Sequence, residues 1–216
     1  MGKYVYYVLI GVAIWSLFPL LLLSLVAGLG KISKSVDLRL RFLAKIFLGL
    51  GSRRDMGIVR QFRGFDCGGA ALENALLCLR IPGIQLSIPE PSSMLMLADG
   101  ATEHNCKASG YDSCTLDFVQ SILASEGKVL TLLKVTYPFS GWWVWPTAWI
   151  LNLLIGHANA SANHWVMVSA FSNKHVFITD PYFGNIRLSK KIFYRNWTRN
   201  ILAVYPSGGR VSECAY

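Results

Sequence analysis

Charge is what this chain has least of, and the shortage is concentrated in one place. Only 15% of its 216 residues are charged, against 53% hydrophobic, which excludes the balance of an ordinary soluble domain. Between Tyr4 and Gly30 there is no Asp, Glu, Lys, Arg or His. A helix rising about 1.5 Å per residue needs about 20 apolar residues to cross a bilayer core, so this run spans with residues to spare. Tyr4, Tyr6 and Tyr7 stand at one end of it and Lys31 and Lys34 at the other, where amphipathic rings and cations favour the interface. The run is too long for the apolar region of a cleaved secretory signal. Residues 1–30 are therefore expected to form a transmembrane anchor. Also missing are a Gly-rich phosphate loop, an internal repeat and a low-complexity linker. Five cysteines, an odd number, exclude a fully paired disulfide framework. No metal and no cofactor are expected.

The net charge of +9 suggests nucleic acid until it is located. Seven cations, Lys31, Lys34, Arg39, Arg41, Lys45, Arg53 and Arg54, follow the apolar run, against Asp37 and Asp55. Val36, Leu40, Leu43, Phe47 and Leu50 recur at helical spacing within this stretch. A basic amphipathic helix beside a span reads as one lying on anionic lipid, so residues 31–55 are expected to be interfacial. No nucleic-acid-binding signature accompanies them, and the expected partner is the lipid bilayer. The charge asymmetry about the span places the flank after it, and so the rest of the chain, on the cytoplasmic side of a single-pass membrane protein. Cys106 and Cys114 flank a polar loop and are candidates to pair, which would argue for an oxidising compartment instead.

Residues 56–206 read as one domain and 207–216 as a flexible tail. A helix is predicted over 67–80, a Pro-rich loop follows, and a second helix runs from Thr115 to Ser125, stopped by Gly127. Strands are predicted over 129–136, 164–171, 175–179 and 201–205, with 164–179 forming a hairpin and 180–185 a turn. Helices first and an antiparallel sheet afterwards make an α+β arrangement. The Trp142, Trp143, Trp145 and Trp149 cluster between Tyr137 and Leu154 is too short and Pro-interrupted to span; core is the commoner reading and an interfacial loop the second.

Cys67 opens the first predicted helix, after Asp66 and before Gly68-Gly69. Helix N–H groups and dipole at that position favour a reactive thiolate, and two glycines leave room for a substrate backbone. A thiol nucleophile needs a base and a group to orient it. His164 opens a strand and Asp180, sixteen positions on, closes its hairpin partner; an antiparallel pair brings such ends together. His104, His157 and His175 are equal candidates for the base until that spacing is considered.

The segment from Gln61 through Asp66-Cys67-Gly68-Gly69-Ala70 resembles the active-site signature of the bacteriocin-processing double-glycine peptidases of the papain-like cysteine peptidase clan. His164-Trp165-Val166 and Asp180-Pro181 resemble that family's later motifs. The Phe193, Trp197 and Ile201 to Pro206 series resembles its last helix and strand. The resemblance covers roughly residues 56–206. It implies a papain-like fold and a cysteine endopeptidase that cleaves a peptide or protein precursor through a thioester. In it Cys67 is the nucleophile, His164 the acid–base and Asp180 its orienting carboxylate. The Gln61 amide and the Cys67 N–H would form the oxyanion hole, with Gly68, Gly69 and Trp165 near substrate. It further implies a leader ending in Gly-Gly and a membrane transporter or larger membrane complex as partner. The stretch from Cys67 to His164 is longer than the family's pattern leads one to expect. Two other readings remain open: a transglutaminase-like or amidase enzyme with the same Cys-His-Asp order, and an idle papain-like subunit of a membrane complex.

Overall fold

In the computed structural model of the chain, residues 4–11, 13–14, 58–59, 67–81, 84, 86, 88, 92–134 and 163–207 are described. Two units emerge, 1–52 with 136–162 and 53–135 with 163–216. Of the first, residues 4–11 are helical and exposed. Among the described residues no helix is long and apolar enough to cross a membrane. Most of the apolar run, the basic segment 31–55, the tryptophan cluster and the tail from 208 lie outside the described residues.

The second unit runs α1 (Cys67–Cys78), α2 (Met94–Glu103), β1 (Cys106–Tyr111), α3 (Leu116–Ala124), β2 (Lys128–Lys134), β3 (Asn163–Phe171), β4 (His175–Asp180), β5 (Gly184–Ser189), α4 (Lys190–Asn196) and β6 (Trp197–Pro206). The six strands form one antiparallel sheet in the order β1-β6-β2-β3-β4-β5. This is an α+β architecture.

Side-chain chemistry at the helix ends sets their limits. Ser93, Thr115 and Ser189 each accept a bond from the N–H three residues on, capping α2, α3 and α4. Helix α1 ends with Arg80 at positive φ while Ile81 N–H bonds Leu76 O and Arg80 N–H bonds Leu77 O. That double bond satisfies two carbonyls a helix end would otherwise leave bare. Arg thus occupies a position usually given to Gly.

Ala71, Leu72, Ala75 and Leu76 of α1 are fully buried, with Leu97 and Ala101 of α2, against Cys106, Leu130, Trp165, Met167, Leu202 and Val204 of the sheet. The alternating sheet residues Val129, Leu133, Val166, Val168, Ile178, Ile201 and Ala203 are buried as well. The central strands therefore have cover on both faces, and their sequences lose the apolar–polar alternation of a half-exposed sheet.

The predicted helices at 67–80 and 115–125 and the β2, β3, β4 and β6 strands match what is observed, with β6 starting four residues earlier than expected. Three elements correct the sequence reading. Helix α2 falls where only a Pro-rich loop was expected; at its Gly100, Ile88 Cδ1 would stand 3.1 Å from a Cβ, and close packing explains the glycine. Strand β1 occupies the supposed polar loop, as an edge strand with few buried positions. Strand β5 extends the turn at Gly184-Asn185 into a third member of the meander. Cys106 and Cys114 are both free and buried, not paired, and burial pushes both thiols up from their ordinary pKa.

Candidate active site

Three elements deliver the three central residues. Cys67 is the first residue of α1, where backbone N–H groups have no partner within the helix; it is 9% exposed. His164 is the second residue of β3 and Asp180 the last of β4. These strands pair with Met167 opposite Thr179, and continuing that register sets Asp180 opposite Val166. His164 then lies diagonally across on the same face, within reach of a long side chain.

The contact is made: His164 Nε2 lies 3.1 Å from Asp180 Oδ2. Asp180 is wholly buried, and its other oxygen, Oδ1, accepts the N–H groups of Tyr182 at 2.6 Å and Phe183 at 2.8 Å. The Asp180-Pro181 turn thus anchors the carboxylate, in the way a short acidic side chain commonly bonds the backbone two and three residues on. The oxygen that faces the imidazole is thereby fixed in direction.

With Nε2 engaged by Asp180, Nδ1 is the nitrogen left for the thiol. Burial alone would lower the His164 pKa. The Asp180 carboxylate, its hydrogen bond, and the hydrogen bond and negative charge of Cys67 outweigh burial and raise it to about 10. The ring therefore carries its proton at neutral pH, held between a carboxylate and a sulfur. Such a trio can present a nucleophilic sulfur and a proton donor to one carbonyl carbon.

The other sequence candidates are placed differently. Trp165 is buried, and its Nε1–H donates to Ser92 O at 3.1 Å. Gly68 faces the same segment: a Cβ there would lie 2.4 Å from Ser92 Oγ and 3.3 Å from Trp165 Cδ1. Gly69 has ordinary space, its nearest neighbour being Ile88 Cβ at 3.9 Å. Gln61 and His157 lie outside the described residues. His104 bonds Gly100 O, and His175 sits at the far end of β4 from Asp180; neither joins the trio. Sequence reasoning missed Ser92, whose contact with Trp165 spans 73 positions and leaves no local signal. Among the described residues no cluster suited to a metal ion is found.

Residues 129–208 match the Peptidase C39 family, a stretch that includes His164 and Asp180 and begins after Cys67. A Lactococcus lactis protein named as a lactococcin transport/processing ATP-binding protein, LcnC-like, is 28% identical over 153 residues, covering 68% of this chain and 18% of that protein. The chain thus spans less than a fifth of that relative. An uncharacterised protein of Methanothermobacter marburgensis is 26% identical over 167 residues, 76% of this chain and 94% of its own length. The peptidase domain of Streptococcus ComA, a bi-functional ABC transporter, aligns at a TM-score of 0.46 and 16% identity over 68% of this chain and 96% of that one. A double glycine motif protease from an AMS/PCAT transporter, solved with a leader peptide, aligns at 0.44 and 18% over 69% and 90%. Similarity to the Peptidase C39 family thus falls on the part of the domain that carries His164 and Asp180.

Proposed function

We propose that this protein is a membrane-anchored endopeptidase that cleaves a peptide or protein precursor after a leader ending in Gly-Gly. The observation that carries the chemistry is the hydrogen-bonded His164–Asp180 pair beside the Cys67 sulfur. The Cys67 thiolate adds to the scissile carbonyl carbon, and the His164 imidazolium gives its proton to the leaving amine as the C–N bond breaks. Water, deprotonated by the now neutral His164, then attacks the thioester and expels the Cys67 thiolate, which releases the acid and restores the thiolate–imidazolium pair. Asp180 holds the ring in the tautomer these steps need and stabilises its charged form. The Cys67 N–H and the Gln61 amide are assigned to the oxyanion, a task for which loss of one donor costs about 10²–10³ in turnover.

The Gly-Gly specificity is supported by the family and by the processing named for the Lactococcus lactis relative. Anchoring is supported by the uncharged run from Tyr4 to Gly30, and a cytoplasmic peptidase by the seven cations after it. A transporter or larger membrane complex is the proposed partner.

The test is a set of fluorogenic peptides with Gly-Gly or Ala-Ala before the scissile bond, given to the native protein and to Cys67→Ala. Cleavage of the Gly-Gly peptide alone, lost in the variant, is expected. Equal cleavage of both would remove the leader specificity, and cleavage by Cys67→Ala would remove the mechanism.

A further inference from the structure

Consecutive side chains of a strand point to opposite faces of its sheet, yet two neighbours on β3 both reach the first turn of α1. His164, on the face it shares with Leu133, is hydrogen-bonded to Cys67. Trp165, on the other face, belongs to the core that α1 closes and meets the residue after the nucleophile. A Cβ on Gly68 would lie 3.3 Å from Trp165 Cδ1 and 2.5 Å from Ser92 Cβ. Trp165 and Ser92 are themselves joined, the indole Nε1–H donating to Ser92 O at 3.1 Å. Gly68, Ser92 and Trp165 therefore close a ring of contacts among α1, the segment just before α2, and β3.

Packing alone does not require tryptophan here. A phenyl ring would serve the core, and what the indole adds is one N–H, which has to find an acceptor once buried. Trp165 is 3% exposed, so it works from inside the domain, and its one polar atom is engaged by Ser92. That bond fixes where the ring lies. His164 and Trp165 share a peptide unit, with their Cα atoms about 3.8 Å apart. The seat of the indole against Gly68 therefore sets where the His164 ring stands relative to the sulfur of the preceding residue, Cys67. Asp180 fixes the direction of the imidazole but leaves its distance from α1 to other contacts. A misplacement of about 1 Å in such a pair can cost about 10²-fold.

We propose that Trp165 is a positioning residue: its indole, tied to Ser92 O, seats Gly68 and thereby holds the Cys67 sulfur against the His164 ring. This rests on the roles assigned to Cys67 and His164. Its effect on the reaction runs through the contact between those two side chains, which separates it from a residue that only fills the core.

The test uses the full-length protein and the rate at which iodoacetamide alkylates Cys67, followed by peptide mass mapping so that the other cysteines are counted apart. A thiol by itself ionises at about pH 8.5, whereas a thiol paired with an imidazolium is reactive well below that. The ratio of the rates at pH 6 and pH 9 thus reports the pair, and changes of access cancel from it. Trp165→Phe keeps a ring and loses the N–H, and the ratio is expected to fall at least about 10-fold. Trp197→Phe is the matched control. It too loses a buried indole bond, to Thr131 Oγ1 at 2.6 Å, but on β6, two strands from β3; its ratio should stay within about twofold of native. An unchanged ratio in Trp165→Phe, or an equal fall in Trp197→Phe, would overturn the positioning role. Where Trp165→Phe does not fold, Ser92→Gly takes its place. It retains the acceptor O but removes the atoms that abut Gly68, so a fall in the ratio is again expected, and no change overturns the proposal. His164→Ala tests the reading beneath: it should abolish alkylation at pH 6. Undiminished alkylation there would overturn the pairing of Cys67 with His164, and the positioning role with it.

Discussion

Gly68→Ala and Gly69→Ala are neighbouring changes of one methyl group, and the structure assigns them opposite outcomes. At Gly68 the new Cβ would stand 2.4 Å from Ser92 Oγ and 2.5 Å from Ser92 Cβ. Rotating the hydroxyl relieves the first contact but not the second, so the Ser92 backbone must retreat. Ser92 O is also the acceptor for Trp165 Nε1–H, and a retreat strands that buried donor. Overpacking costs about 1–3 kcal/mol and an unpaired buried donor about 1–3 kcal/mol more. Gly68→Ala should therefore lose about 2–6 kcal/mol, which is roughly 5–20 °C in Tm for a unit of this size. At Gly69 the nearest atom is Ile88 Cβ at 3.9 Å, an ordinary contact, and alanine gains up to about 1 kcal/mol of helix propensity. Thermal unfolding of the two variants and of Gly68→Ala/Ser92→Gly settles the matter. The double variant removes the obstructing Cβ and should recover most of the loss. A Gly68→Ala protein as stable as native, equal damage at both glycines, or no recovery in the double variant would each refute the reasoning.

Asp180→Asn should cost about 10²–10⁴ in turnover. Oδ1 must stay an oxygen to accept the Tyr182 and Phe183 N–H groups, so the amide nitrogen falls at Oδ2 and donates to Nε2. The ring then bears its proton on the nitrogen facing Cys67 and cannot take one from the thiol; near-native kcat in steady-state kinetics would contradict this. The pH dependence of stability follows from His164. Its pKa is raised from 6.5 to about 10 in the folded state, so its contribution is fully present below about pH 6.5 and is lost as pH rises through 10. Urea unfolding at pH 6.5 and 9.5 should show the native protein losing more stability than His164→Gln; parallel losses would show that the ring is not held charged.

The parts of the fold that were legible in the sequence are those where local pattern and tertiary role agree. Helix α1 is rich in good helix formers and α3 has a Thr cap and a Gly stop, so both stand out. The β3–β4 hairpin announces itself by Val, Ile and Phe on either side of Ser172-Asn173-Lys174. Helix α2 was hidden because Gly100 exists for Ile88 and Leu72, which lie far from it in sequence. Strand β1 was hidden because an edge strand written Cys-Lys-Ala-Ser-Gly-Tyr has almost nothing to bury. At the site, the sixteen-residue spacing of His164 and Asp180 was readable because a hairpin turns sequence distance into spatial contact. The Ser92 contact with Trp165 and the Asn74 bonds to Val59 were not, since each depends on a backbone group whose position only the assembled core defines.

The unusually long stretch from Cys67 to His164 has a structural explanation. Strand β2 ends at Lys134 and β3 begins at Asn163, and these two residues are register partners, with Leu133 opposite His164 in the next pair. Residues 135–162 join these two register partners in sequence. Closing a connection costs entropy that rises only as the logarithm of its length, about 0.6 kcal/mol for each doubling. The sheet can hold a long excursion there almost as easily as a short hairpin loop, with no change in the register that brings Asp180 to His164. The same arithmetic says where length is not tolerated. Val59, whose backbone bonds Asn74 of α1, stands eight positions before Cys67, and an inserted residue would have to be absorbed between that anchor and the nucleophile. Insertions on the order of ten residues within 135–162 should thus leave the His164–Asp180 pair intact, whereas a single inserted residue between Val59 and Cys67 should abolish cleavage. Comparing the two classes of insertion for turnover and for Tm tests this directly. Loss of the fold from the first, or full activity in the second, would mean that the catalytic register is set elsewhere.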